Sequence, residues 1–108
     1  MWWTYSHQCV LENGDKASIK VGLDDRTGNF SIEEIGLIPK GKRKEIHLKQ
    51  QLSDNYSYRR LSPDDRSKAE LKLFVETVGE AIVNEALINA WESLRPNLIS
   101  KEQYDIDY

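Results

Sequence analysis

The chain has 108 residues, of which 39% are hydrophobic and 31% charged, enough apolar material for the single core of one domain. No run approaches the roughly 20 apolar residues that a membrane-spanning helix needs, and the single cysteine, Cys9, excludes an internal disulfide. The net charge of -3 is unevenly spread: residues 40–72 carry ten basic and five acidic side chains, residues 73–108 two basic and seven acidic.

The first segment, Met1-Trp2-Trp3-Thr4-Tyr5, lacks the basic and then apolar pattern of a secretory leader. With the lone cysteine, this predicts a cytoplasmic setting and no membrane partner. Trp3, Tyr5, His7, Cys9 and Leu11 then alternate with Trp2, Thr4, Ser6, Gln8 and Val10, the period-2 signature of a strand. Asn13-Gly14 predicts a hairpin, with positive φ at both residues if the turn is type I′. Ala17, Ile19, Val21 and Leu23 give the second strand one apolar face.

A third strand begins at Phe30 and Ile32, but Ile35 and Leu37 have the opposite parity, so it either bulges or ends at Glu33-Glu34. Pro39 to Lys42 makes a turn, and residues 44–52 predict a fourth strand with Ile46, Leu48 and Leu52 inward. Tyr56 to Leu61 is a short edge strand or an ordered loop. Ser62 is a good N-cap, Pro63 suits the first helical position, and Asp64 and Asp65 complement the helix dipole. The helix is expected to run to about Leu94, since Pro96 discourages helix beyond it.

The expected fold is therefore α+β: an antiparallel meander of four strands, or five, with one long C-terminal helix packed on one face. It forms one domain over 1–108, with the sheet at about 2–61, the helix at about 63–94 and a flexible acidic tail at about 99–108.

The helix carries two apolar stripes. Leu71, Phe74, Val75, Val78 and Ile82 share one face; Val83, Leu87, Trp91 and Leu94 form another, roughly 140° round the axis. A break near Gly79 or Asn84 would turn both stripes into one core. A continuous helix would leave the second stripe for a partner, most simply a second copy across a two-fold axis. A mid-helix Gly costs only about 1 kcal/mol, so the continuous form is favoured. Val83, Leu87, Trp91 and Leu94 are then the expected homodimer or partner interface.

No set of groups converges on chemistry. His7 and Cys9 at i, i+2 fall short of a zinc signature, the acidic pairs at 24–25, 33–34 and 64–65 suit turns and a helix start, and Gly41-Lys42 lacks the spacing of a phosphate loop. No cofactor and no catalytic or metal-binding residue is expected. The basic middle offers a second surface: Lys40, Lys42, Arg43, Lys44, His47 and Lys49, with Arg59 and Arg60 beside Tyr56 and Tyr58, pair cations for phosphate with aromatic faces for stacking. The expected function is a non-enzymatic interaction or regulatory module acting as a homodimer. The alternative is a nucleic-acid-binding adaptor using 40–60, and an acidic protein would fit that segment equally.

Overall fold

The alternating patterns of the first forty residues give three strands of equal length in a computed structural model, which describes residues 1–99. They are β1 (Trp2–Val10), β2 (Lys16–Asp24) and β3 (Phe30–Ile38), followed by a two-residue β4 (Ile46–His47). All pair antiparallel in the order β1-β2-β3-β4, the expected meander. The acidic tail lies, from residue 100 onward, outside the described residues.

The first hairpin closes differently from a type I′ turn. Gly14 alone has positive φ (91°), and its N–H bonds Leu11 O while Leu11 N–H bonds Asp15 O. Glu12 and Asn13 are thus the centre of the turn, and Gly14 supplies the left-handed residue that follows it in three-residue hairpin loops. In β3 the parity slip is a bulge. Lys20 pairs with Glu34 and Val21 with Ile32, so Glu33 is the extra residue. That insertion returns Phe30 and Ile32 to the face occupied by Ile35 and Leu37.

The segment expected as a fourth strand over 44–52 is strand only at Ile46 and His47; Leu48–Ser53 is helix α1. The cause lies elsewhere in the chain. The Glu34 carboxylate accepts from the N–H groups of Lys49 (2.6 Å) and Gln50 (3.1 Å), capping α1 where its own N-cap residue, His47, supplies no side-chain bond. Tyr56–Arg59 is neither strand nor loop but a helical turn, α2, capped by Asn55, whose side chain accepts from Tyr58 N. The sheet therefore has no fifth strand among the described residues.

The C-terminal helix is two helices, which corrects the single helix expected over 63–94. Helix α3 (Pro63–Val78) starts as predicted, with Ser62 Oγ accepting from Asp65 N, and α4 (Glu80–Leu94) follows after one residue. That residue, Gly79, has φ 94° and ψ 148°, a conformation open essentially to glycine alone. The break re-aims the second stripe. Phe74 and Val78 of α3 and Val83, Ala86, Ala90 and Leu94 of α4 pack with Ala17, Ile19, Val21, Leu23 and Ile35 in one core. Each large side chain so buried contributes roughly 1.5–3 kcal/mol, which outweighs the cost of interrupting the helix. Helix α4 lies over β1 and β2, and no described helix is long and apolar enough to cross a membrane.

Candidate functional site

The titratable groups do not converge. His7 lies on β1 and His47 on β4, at opposite edges of the sheet and about 14 Å apart across three strand spacings. His7 Nδ1 meets the Asn89 amide at 3.5 Å, and His47 lies 3.6 Å from Glu45. Burial, and then the charge of Glu85, push the Cys9 thiol up, away from the thiolate a nucleophile needs. No cluster of three metal-ligating side chains occurs among the described residues.

The acidic pairs have structural work. Asp24 accepts from the turn N–H of Arg26 at 3.0 Å. Asp25, buried, accepts from the terminal ammonium of Met1 at 2.8 Å and from the Trp3 indole at 3.0 Å. These bonds, the ammonium first, hold the Asp25 carboxyl below the usual carboxylate range. Glu33 accepts from the Trp2 indole and lies 3.4 Å from Lys20, Glu34 caps α1, and Asp64 and Asp65 occupy the first turn of α3.

The expected cations fall into two groups. Lys40, Lys42 and Arg43 line a groove of about 410 Å³ with Gly14 and Lys16, beside the tip of the first hairpin. Lys40 N–H is fixed to Asp15 at 2.7 Å, and neither these side chains nor Lys44 ion-pairs with a described residue. Arg59 and Arg60 instead lie 5.9 and 5.6 Å over the ring of exposed Tyr56 on α2. Buried Tyr58 donates to Glu70 of α3, and Lys49 lies 3.9 Å from the same carboxylate. Glu70 also borders a cleft at Phe30, the end of β3 opposite the basic loop. His47 stays with Glu45 between the groups.

Of the interface stripe expected on the distal helix, Val83 and Leu94 belong to the chain's own core. Leu87 is half-buried and borders, with Phe30, Ile32, Leu71 and Phe74, an open cleft of about 290 Å³ between α3, α4 and β3. Trp91 packs edge-on against Phe30, ring centres 5.5 Å apart, and stays 39% exposed. Leu71 (51%) and Ile88 (62%) extend this apolar surface. Neither was in the expected set, although Ile88 is at i, i+3 from Trp91, the spacing that joins side chains on a helix surface.

A further feature is the free edge of β1. Met1 O accepts from Asp25 N, and Leu11 N donates to Asp15 O, so the odd-numbered residues of β1 bond to β2. By antiparallel alternation the even-numbered ones, Trp2, Thr4, Ser6, Gln8 and Val10, turn their N–H and C=O outward. No described residue bonds to them. The sequence signal for this edge is the nine-residue run Trp2–Val10 with no Asp, Glu, Lys, Arg or Pro. Comparison with protein-family models, with curated proteins and with solved structures finds no match to this chain.

Proposed function

We propose that this chain is a non-enzymatic protein-interaction module whose contact surface is the apolar patch where α3 and α4 meet the start of β3. The observation that carries this reading is the grouping of exposed Leu71, Ile88 and Trp91 with half-buried Leu87 beside the Phe30 cleft, large apolar side chains of α3 and α4 that the core does not enclose. Exposed patches of this kind mark contact surfaces, and a Trp held by a neighbouring ring is a good anchor for one. Leu87 and Trp91 carry over from the expected distal-helix interface; Val83 and Leu94, inside the core, act only by fixing α4.

The test is affinity capture with the wild-type chain and with Leu71→Glu and Ile88→Glu, two exposed positions whose change leaves the core intact. Loss of an association in both variants, with an unaltered circular-dichroism spectrum, supports the reading. Retained association, or none in the wild type, removes it.

A second reading, an anionic partner such as nucleic acid or an acidic protein, rests on Lys40, Lys42, Arg43 and Lys44 having no carboxylate partner among the described residues. Changing Lys42, Arg43 and Lys44 to Ala should then weaken binding and flatten its dependence on salt, by about 0.9 in log–log slope for each duplex phosphate no longer neutralised. Absence of binding to DNA or RNA at low salt removes the nucleic-acid form.

A further inference from the structure

We propose that the open edge of β1 is a self-pairing surface: two copies of the chain join antiparallel along β1, about a two-fold axis at Ser6, into one eight-stranded sheet. This goes beyond the apolar patch, which lies where α3 and α4 meet β3, two strands in from the β1 edge.

The case begins with what β1 lacks. Natural edge strands are shielded by charge, proline, bulges or shortness. β1 runs nine residues in unbroken register with β2, without a bulge, a proline or a charged side chain. Its length, about 30 Å, is ample for a partner strand. A two-fold strand contact places residues near the axis against their own copies, so any charge there would face its like. β1 has none.

Register follows from the side chains. The two most exposed apolar residues of β1 are Val10 (66%) and Trp2 (43%). They sit at opposite ends of the strand on the same face, the one turned away from the helices. An antiparallel copy centred on Ser6 sets Trp2 against Val10 of its mate, Thr4 against Gln8, and Ser6 against Ser6. These are also the residues whose backbone groups point outward, so they form the hydrogen-bonded pairs, about ten new backbone bonds in all. On the helix-facing side Tyr5 meets His7 and Trp3 meets Cys9. The Trp2 indole leans inward across Gly22 of β2 and donates to Glu33 of β3, away from the strand's open backbone edge.

The assembly closes at two. Once β1 is paired, the edge that remains on each copy is the outer side of β3, bulged at Glu33 and covered at Gly36 and Leu37 by the two-residue β4, which runs straight into α1. A self-pairing strand on one edge and a blunted strand on the other give a dimer rather than a fibre.

The test is light scattering on the eluting protein over a concentration series, for the wild type, Ser6→Lys and Ile88→Glu. Ser6 is exposed, so Ser6→Lys sets two ammonium groups against each other without touching the core. The expected result is a wild-type dimer, a folded Ser6→Lys monomer and an Ile88→Glu dimer. Register is checked by oxidising Ser6→Cys in a Cys9→Ser background: residues paired at about 5.5 Å between Cα atoms reach disulfide geometry. A covalent dimer is expected from Ser6→Cys and none from Thr4→Cys, which faces Gln8. A wild-type monomer at every concentration, a Ser6→Lys dimer, or preferential cross-linking at Thr4→Cys would each overturn the proposal. A dimer lost only in Ile88→Glu would move the contact to the apolar patch.

Discussion

The two edges of this sheet are built by opposite rules. At the β4 edge the strand stops after two residues, because Glu34 reaches across from β3 to cap a helix beginning at Leu48. The chain before it carries Lys40, Lys42, Arg43 and Lys44, the side chains that discourage edge pairing. At the β1 edge nothing comparable occurs: nine uncharged residues in regular register, with alternate backbone groups turned outward. A sheet protected on both sides would suit a monomer, and one open on both sides a fibre. With the pairing proposed for β1, one guarded edge and one open edge would limit association to a pair.

The contrast extends to how each edge is anchored, and substitutions can break either side of it. A methyl group added at Gly22 would enter the Trp2 ring. The indole would have to leave Glu33, stripping a donor from a carboxylate with one oxygen fully buried. Gly22→Ala should therefore cost about 1–3 kcal/mol, read as a lower urea midpoint with an unchanged slope. Glu34→Ala tests the guarded edge. Losing the carboxylate that caps α1 should cost about 0.5–2 kcal/mol, with faster amide exchange at Lys49 and Gln50 than in the wild type. Gly36→Ala is the control. Its added methyl would meet the end of the exposed Glu45 side chain, which can swing aside at the expense of its 3.6 Å contact with exposed His47, so urea unfolding should place it within about 0.5 kcal/mol of the wild type.

The smallest effect concerns acid. Asp25 ties Met1 and Trp3 to the end of β2 and so holds the start of the open edge. Its folded pKa is depressed, by the terminal ammonium first and the Trp3 indole second. The stability it contributes is therefore complete above the unfolded carboxylate value of about 4 and is lost as pH falls through the lower folded value. Asp25→Asn should flatten that acid limb in thermal melts taken between about pH 5 and 2. An unchanged limb would remove Asp25 as its cause.

What the sequence disclosed and withheld follows from where each determinant lies. The meander, the parity slip at Glu33 and the start of α3 at Ser62 depend on neighbours within a few residues, and alternation or capping signals reveal them; that the slip is a bulge and not a strand end is settled by the pairing with β2. Helix α1 depends on Glu34, whose cap arrives from the adjacent strand, so residues 44–52 look like a strand when taken alone. The break at Gly79 is decided by tertiary burial. Propensity sets only a small cost against helix there, whereas the core gained by turning Val83 and Leu94 inward is larger. The cations of residues 40–60 are visible in sequence, but their division into a hairpin-end loop and an α2 cluster depends on the fold. The open edge was the most legible of the missed features, since a meander makes its first strand an edge and the absence of charge from Trp2 to Val10 is plain.

The central claim is that the open edge of β1 is occupied by its own copy. Amide exchange of β1, measured at low and high protein concentration, tests it most directly. The account predicts that the amides of Thr4, Ser6, Gln8 and Val10 become protected as concentration rises, while those of Tyr5, His7 and Cys9, already bonded to β2, stay protected throughout. Fast exchange of the even-numbered amides at every concentration would contradict it.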